Sequence, residues 1–272
     1  MARARADLHV HSDSSDGVLS PVQILARATR KGLGAIAITD HDTLAGWKQA
    51  QESSCSDRII LLPGVEINTE VAAREVHILG YCFQDVDGLE RELERLRQAR
   101  WKRARKMLAL LQELGKEVTW RDLLSVAGQA APGRLHLARA LVKTGQAVSI
   151  VQAFEDYLLP GRAAYVPRHR FSPEQAIDRI RRAGGVAVLA HPGMGVDDSV
   201  LDALVSQGLQ GIEVYHPSHD AGDTVHYLRL AEYYNLVITG GSDYHGVGGH
   251  EAAPIGSTTV SMAAVHQLLE MT

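Results

Sequence analysis

Two histidines that lie two positions apart near the start of the chain, His9 and His11, could bind a metal ion together. Residues i and i+2 of an extended strand point to the same face, and imidazole is the commonest metal-binding side chain. Further histidines and carboxylates follow short apolar runs along the chain. The candidate metal ligands are His9, His11, Asp16, His41, Glu66, His77, His191, Asp243 and His245. One such pair is weak evidence, but nine ligand-type residues, most of them at the ends of apolar runs, predict a metal centre.

The number and the types of these residues indicate more than one metal ion. Zinc takes about four ligands in protein sites, whereas six histidines and three carboxylates are available here. The carboxylate of Glu66 can bridge two cations, which a neutral imidazole cannot do. No cysteine belongs to the set, and a nitrogen and oxygen ligand set favours manganese, iron or zinc. We therefore predict two or three divalent metal ions.

Clustered divalent ions suit the hydrolysis of phosphate esters, because they activate water, orient the ester and neutralise the charge that develops on its oxygens. Glu66, His191 and Asp243 are the candidate catalytic residues. Two candidates for the general acid stay open, a water on the metal and a cleft histidine such as His191.

Some of these assignments have alternatives in the sequence. Asp16 lies in a turn-forming sequence between Ser15 and Gly17, and Asp13 competes with it for the same role. A ligating histidine commonly has its second ring nitrogen held by a carboxylate. The two acids that flank His41 are candidates for holding that ring, and Glu75 is a candidate for holding His77.

Apolar runs alternate with helix-like segments over most of the chain, which predicts parallel strands joined by helices. The runs at 35–39 and 185–190 are continuously apolar, as in strands that are buried on both faces. The predicted strands cover 6–11, 35–39, 59–62 with 65–68, 76–83, 185–190, 211–215 and 236–239. About seven strands with crossover helices indicate an α/β barrel, in which functional residues gather at the carboxyl ends of the strands.

The middle of the chain breaks this alternation. Residues 87–114 are highly charged with helical periodicity, and further helices are predicted over 119–127, 134–145 and 149–158. We predict a barrel domain formed by 1–84 and 164–272, interrupted by a helical insertion domain at 85–163. A solvated helical pair packed on the barrel is the favoured interpretation of the insertion, and a lid over the site is the alternative.

Composition limits the classes of function. The chain has 272 residues, 45% hydrophobic and 22% charged, with a net charge of −4, so no global basic field indicates nucleic acid, although a local basic patch stays open. The two cysteines, Cys55 and Cys82, lie far apart and predict free thiols in a reducing cytoplasm. We expect no signal peptide and no membrane span, because no apolar stretch approaches about 20 residues. No obligate protein partner is evident.

The sequence resembles a known superfamily over nearly its whole length. The runs DLHVHSDSSDG, AITDHDT, PGVEIN, EVHILGY, AHPG and GSDYH are similar, in order and spacing, to the polymerase and histidinol phosphatase (PHP) superfamily. Within it the chain resembles the TrpH/YciV group, also called RNase AM. The segments from Pro132 to Arg139 and from Tyr165 to Pro167 are similar to that group as well.

The resemblance implies a distorted, TIM-like (β/α)7 barrel with a helical insertion and a trinuclear centre. One metal would take His9, His11, Glu66 and Asp243; a second would share Glu66 and add His77 and His191; a third would take Asp16, His41 and His245. The implied activity is removal of the 3′-phosphate from nucleoside 3′,5′-bisphosphates such as adenosine 3′,5′-bisphosphate, giving AMP. It also implies 5′-to-3′ trimming of short RNA with a 5′-phosphate. None of the nine positions departs from the pattern.

A bisphosphate brings a second phosphate, which needs cationic groups beyond the metals, and arginine suits it through its bidentate fork. By resemblance Arg134, with His136, is the first candidate for substrate binding. Arg168 and His169 form the second, for which a solvated loop is an equally good interpretation. His216 and His219 are interpreted as rim residues of the cleft.

Three other functions were weighed. An amidohydrolase also begins with two histidines in a barrel, but it usually needs a bridging lysine at a strand end, where this chain has Glu66. Histidinol phosphate hydrolysis is disfavoured by the helical insertion and by Arg134 with His136. A non-catalytic metal-binding or polymerase-accessory module is disfavoured by the intact ligand set.

Overall fold

The computed structural model describes residues 5–53, 58–71, 74–128, 130–167, 171–246 and 253–272. Its centre is an eight-stranded sheet with the order β7-β6-β5-β4-β3-β2-β1-β8. The strands are β1 (Arg5–Asp7), β2 (Ala35–Ile38), β3 (Ile60–Val71), β4 (Arg74–Tyr81), β5 (Val186–Leu189), β6 (Gly211–Tyr215), β7 (Val237–Gly240) and β8 (Val260–Ser261).

The sheet curls into a nearly closed barrel, which confirms the predicted fold class. The segment that follows β1 meets the end of β7, where the Leu8 amide donates to the Gly240 carbonyl at 3.1 Å. Further along, the Asp243 amide donates to the His9 carbonyl at 2.8 Å and the His11 amide to the Tyr244 carbonyl at 3.0 Å. The closure therefore brings the histidine pair of the first segment next to Asp243.

The prediction that all seven strands are parallel was wrong for β4. This strand runs antiparallel to both β3 and β5. The reason is the connection: only residues 72 and 73 separate β3 from β4, which is too short for the crossover that parallel neighbours need. Because β4 runs backwards, its first half lies at the barrel end where the parallel strands finish, and His77 is paired in register with Asn68.

Ten α-helices lie within the described residues: α1 (Pro21–Arg30), α2 (Ala45–Gln51), α3 (Val86–Glu113), α4 (Trp120–Ala127), α5 (Arg134–Lys143), α6 (Ile150–Ala153), α7 (Pro173–Arg182), α8 (Asp198–Ser206), α9 (Ala221–Tyr233) and α10 (Met262–Glu270). Two of them start alike. Ser20 and Ser172 each cap a helix whose first residue is proline, with a glutamine three residues later closing a capping box. None of the helices is long and apolar enough to cross a membrane, within the part of the chain that is described.

Strands β2 and β5 are completely buried, and their side chains are small or branched. These side chains fill the interior of the barrel wall. The four helices α3, α4, α5 and α6 pack around a separate apolar cluster, which includes Met107, Leu111 and Leu141. The first turns of α3 belong to the barrel instead, since Leu89 and Leu93 pack in the cluster under β3 and β4. The predicted domain boundaries at 84–85 and 163–164, and the cytoplasmic location, stay predictions.

Candidate metal centre

Glu66 lies at the middle of the candidate metal centre. It is 1% exposed, on β3, and its two carboxylate oxygens face different histidines. Oε2 lies 3.2 Å from His11 Nε2 and 3.5 Å from His9 Nε2. Oε1 lies 2.7 Å from His77 Nδ1 and 3.1 Å from His191 Nε2. Oε2 also lies 2.9 Å from His41 Nδ1. One carboxylate with imidazoles around both of its oxygens is an arrangement that suits a bridging ligand.

Asp243 completes the first of these groups. Its Oδ1 lies 3.2 Å from His9 Nε2 and 3.1 Å from His11 Nε2. Asp243 follows β7 and has a positive backbone φ of 48°. The closed seam between the first segment and β7 places this carboxylate opposite both histidines.

A further group forms around Asp16. Its carboxylate oxygens lie 3.7 Å from His11 Nδ1, 3.7 Å from His41 Nε2 and 3.4 Å from His245 Nε2. His11 thus faces Glu66 with one ring nitrogen and Asp16 with the other. The competing residue Asp13 is exposed. The structure therefore brings all nine predicted ligands together, in groups whose ligand atoms lie within 4.8 Å of one another.

The polar atoms at the centre of these groups fit a set of cations. His9 Nε2, both ring nitrogens of His11, Glu66 Oε2 and Asp243 Oδ1 are buried without a hydrogen-bond partner among the described residues. A buried polar atom left unsatisfied costs about 1–3 kcal/mol. The donors are imidazole nitrogens and carboxylate oxygens, which is the chemistry that manganese, iron and zinc accept.

Charges in the centre are strongly coupled. Burial raises the pKa of Glu66, but His41, His77 and His9 outweigh it and hold that pKa well below its usual value. Burial lowers the pKa of His9, but Glu213, Asp243 and Glu66 raise it well above the usual value. The carboxylates and His9 thus favour each other's charged forms, and a histidine must be neutral before it can bind a metal ion.

Two buried aspartates hold the segments that carry ligands. Asp40 accepts hydrogen bonds from the Ser12 amide, the Ser12 hydroxyl and the Ser15 hydroxyl at 2.6–2.8 Å, and so shapes the turn that ends at Asp16. Asp7 accepts from the amide and hydroxyl of Ser242 and from the Gly256 amide at 2.7–2.9 Å. Both carboxylates are therefore used to fix backbone.

The acids beside His41 do not hold its ring as the sequence suggested. Asp40 faces the turn at 12–15, and Asp42 accepts from the Asn68 amide and pairs with Arg100 at 2.6 Å. The side-chain nitrogen of Asn68 lies 3.0 Å from His41 Nδ1 instead. Asp42 turns away because its backbone is left-handed, with φ of 55°. Glu75 does lie near His77, with Oε2 at 3.9 Å from Nε2.

The end of β6 carries two residues whose contacts the sequence did not predict. Glu213 is completely buried and contacts His9 Nδ1 at 3.0 Å. His216 is 3% exposed and lies 3.4 Å from Asp243 Oδ2, so its interpretation as a rim residue was wrong. A glutamate inside the apolar run Gly211–Tyr215 was the available signal. His219 is half-buried and accepts from the Gly193 amide.

A cleft of about 250 Å³ opens beside the centre, between the barrel and the helices of the insertion. Three predicted ligands, Asp16, His41 and His77, line it. Three arginines also line it, Arg100 and Arg103 of α3 and Arg134 of α5, together with the apolar side chains of Leu96, Phe154, Phe171 and Met194. Cations, apolar groups and predicted ligands thus share one cavity.

The predicted substrate-binding residues have different surroundings. Arg134 lines the cleft and pairs with Glu75 at 2.6 Å. His136 is 2% exposed, and its Nδ1 accepts from the Gly133 amide at 3.1 Å. Arg139 of the same helix donates to the Asp16 carbonyl at 2.7 Å, which joins α5 to the Asp16 turn. Arg168 and His169 lie outside the described residues.

Comparison with known proteins gives consistent relatives. The family model of the PHP domain matches residues 7–138. A 3′,5′-nucleoside bisphosphate phosphatase of Chromobacterium violaceum is 35% identical over 258 residues, which cover 90% of this chain and 88% of that protein. The 5′-3′ exoribonuclease Rnm of Salmonella typhimurium is 35% identical over 247 residues, 88% of this chain and 84% of that protein. A solved structure from Bifidobacterium adolescentis, assigned as a metal-dependent phosphoesterase, superposes with a TM-score of 0.88 at 31% identity, covering 98% of this chain and 96% of that one.

Proposed function

The chain belongs to the PHP family of metal-dependent phosphoester hydrolases, and from this membership and the geometry of the centre we propose its substrate and its ligand set. The substrate is a nucleoside 3′,5′-bisphosphate, which loses its 3′-phosphate, and short RNA with a 5′-phosphate is trimmed 5′-to-3′ at the same centre. Two or three divalent ions, manganese, iron or zinc, are held by the nine residues named above.

The proposal rests on the position of Glu66 together with the three arginines that line the cleft. Both oxygens of Glu66 are enclosed by histidines, which supports a bridging role between two cations. The cavity beside the centre is lined by Arg100, Arg103 and Arg134 and by apolar side chains. A nucleoside bisphosphate matches these groups: one phosphate would bind at the metals, the second at the arginines, and the nucleoside would contact the apolar side chains.

The roles of the chain's own residues follow from their contacts. When bound, the metal ions would supply a nucleophile from water and neutralise charge on the phosphate. Glu66, Asp243 and His191 would hold those ions, and the contact of His191 Nε2 with Glu66 supports metal binding by this ring rather than proton delivery. Asp40 and Asp7 keep the ligand-bearing segments in place.

Arg134 and Arg100 recognise the second phosphate. Each is already paired with a carboxylate of the barrel, Arg134 with Glu75 and Arg100 with Asp42. These pairs hold the two guanidinium groups at the cleft before substrate arrives, so less ordering is needed on binding. His136 positions the first turn of α5, and with it Arg134, through its bond to Gly133.

The alternatives fit the site less well. Histidinol phosphate carries a cationic ammonium group and an imidazole but no second phosphate, so it would gain nothing from three arginines. An amidohydrolase centre would need a bridging lysine, where this centre has Glu66. A non-catalytic module would have no use for a cleft that leads to the metal ligands.

The test is a panel of substrates assayed with purified protein that has been stripped and reloaded with Mn²⁺, Fe²⁺ or Zn²⁺. Adenosine 3′,5′-bisphosphate, histidinol phosphate and a 5′-phosphorylated oligoribonucleotide are compared by kcat/KM. We expect metal-dependent release of phosphate from the bisphosphate and of mononucleotides from the RNA. A higher kcat/KM on histidinol phosphate, or turnover that survives complete metal removal, would overturn the proposal.

A further inference from the structure

Strand β6 supplies none of the nine predicted ligands, yet two residues at its end contact the side chains of two of them and the backbone of a third. Glu213 lies on the strand and His216 follows it. Both are buried, at 0% and 3% exposure. Buried polar side chains at this position must have partners, and those partners are His9 and Asp243.

The first contact fixes the tautomer of His9. Its Nδ1 lies 3.0 and 3.2 Å from the two oxygens of Glu213. An ionised carboxylate can only accept, so Nδ1 carries a hydrogen, and in the neutral ring that binds a metal the lone pair is at Nε2. That nitrogen points to Glu66 and Asp243, at 3.5 and 3.2 Å. Glu213 therefore turns the metal-binding lone pair of His9 into the centre.

The second contact involves a histidine that lies within ligand distance of the centre. His216, His9 and Asp243 could together hold an ion by distance alone. However, two groups of Ser218 contact His216 Nδ1, the hydroxyl at 2.7 Å and the amide at 3.2 Å. The amide can only donate and the hydroxyl can also donate, so Nδ1 is the acceptor of the neutral ring. Nε2 then carries the hydrogen and faces Asp243 Oδ2 at 3.4 Å. His216 in this tautomer donates to Asp243 and leaves its Oδ1 directed at His9 and His11.

A local irregularity of the sheet supports this placement. Glu213 pairs with Thr239 and Tyr215 pairs with Gly240, so β6 has one residue more than β7 over this stretch. A bulge of this kind changes the direction of the side chains beside it. The same Glu213 carboxylate also accepts from the His191 amide at 2.9 Å, where the backbone is left-handed with φ of 26°.

We propose that Glu213 and His216 are positioning residues, which fix the tautomer of His9 and the orientation of Asp243 and so set how tightly the centre holds its metal. The inference rests on the proposed function, because it takes His9 and Asp243 as ligands. Hydrogen-bonded partners of ligands commonly change metal affinity by about 10–100-fold.

The test measures metal binding directly. The dissociation constant for Mn²⁺ is obtained by competition with a chelator for wild type, Glu213→Gln, His216→Leu and His216→Gln. We expect Glu213→Gln and His216→Leu to bind about 10–100-fold more weakly. We expect His216→Gln to stay close to wild type, because its amide nitrogen can replace Nε2 as the donor. His226→Gln and Glu232→Gln, on the exposed side of α9, are the matched controls and should bind normally.

A purely structural role predicts a different result. It would lower the melting temperature of metal-free protein and leave the affinity of the folded fraction unchanged. Folded Glu213→Gln and His216→Leu proteins with wild-type affinity for Mn²⁺ would overturn the inference while leaving the proposed function intact. Wild-type protein that binds no divalent ion would overturn the proposed function first.

A second measurement needs no variant. In Zn²⁺-loaded wild-type protein, ¹⁵N NMR of the histidine rings should show His9 protonated at Nδ1 and His216 protonated at Nε2. A hydrogen on His216 Nδ1 would overturn the positioning role of that residue even if every variant failed to fold.

Discussion

Replacing Arg134 by alanine should separate substrates that carry a second phosphate from those that do not. The guanidinium lines the cleft, is 14% exposed and is held by Glu75 at 2.6 Å. A hydrogen bond to a charged partner contributes about 1.5–3 kcal/mol, and each 1.4 kcal/mol corresponds to about a factor of ten. We therefore expect kcat/KM on adenosine 3′,5′-bisphosphate to fall about 10–150-fold. An aryl phosphate lacks the second phosphate, and its kcat/KM should change less than about threefold.

Two further variants show whether the loss comes from the missing cation. Glu75 keeps its negative charge in Arg134→Ala and would repel the substrate, so the double variant Arg134→Ala with Glu75→Gln should recover part of the activity on the bisphosphate. Lys143→Ala removes a cation from the exposed end of the same helix and should behave as wild type. Equal losses on the bisphosphate and the aryl phosphate, measured by phosphate release under identical metal loading, would refute the assignment of Arg134.

Three other outcomes are expected. Asp243→Ala and His11→Ala should each abolish phosphatase activity while circular dichroism shows a folded chain, and near-normal turnover after metal removal and reloading would contradict their role. Chelation of the metal should lower the melting temperature by about 5–10 °C. Free metal at 100 times its Kd stabilises the folded protein by about 2.7 kcal/mol, and the melting temperature of a chain of this size shifts by about 2–4 °C per kcal/mol. Calorimetry with and without Mn²⁺ measures the shift, and an unchanged transition argues against a buried metal. Burial lowers the pKa of His136 to about 4. The stability that its neutral ring contributes, about 3 kcal/mol, is therefore present above about pH 6.5 and is lost as the pH falls towards 4. Urea unfolding across that range should show a steeper loss of stability for wild type than for His136→Asn, and parallel curves would contradict this.

The clustering of the nine candidate ligands was predictable from sequence because most of them follow short apolar runs, and the carboxyl ends of neighbouring strands meet at one end of a barrel. His77 was found by the same reasoning although β4 runs backwards. Its strand is joined to β3 by so short a connection that the first half of β4 lies at the functional end. The predicted direction of β4 was wrong, but His77 still lies beside the other candidate ligands.

Residues that act through other residues were harder to predict. His216 is buried and contacts Asp243, which lies 27 positions later in the sequence, so its position depends on a contact that the local sequence does not encode. Arg100 is one of many cations on a long charged helix, and only its pairing with Asp42 distinguishes it. Asp40 and Asp42 looked like partners of His41 because they are its neighbours in sequence, but the left-handed backbone at Asp42 turns that residue to Asn68.

The left-handed backbone at Asp42, His191 and Asp243 has a consequence for attempts to improve this protein. Each such residue costs about 1–3 kcal/mol, and the three together approach the whole net stability of an ordinary domain, about 5–15 kcal/mol. Glycine would relieve the strain at each position. A selection for heat resistance alone would therefore favour glycine at two positions, His191 and Asp243, where the proposed centre needs an imidazole and a carboxylate, and the most heat-stable variants would be expected to lose activity.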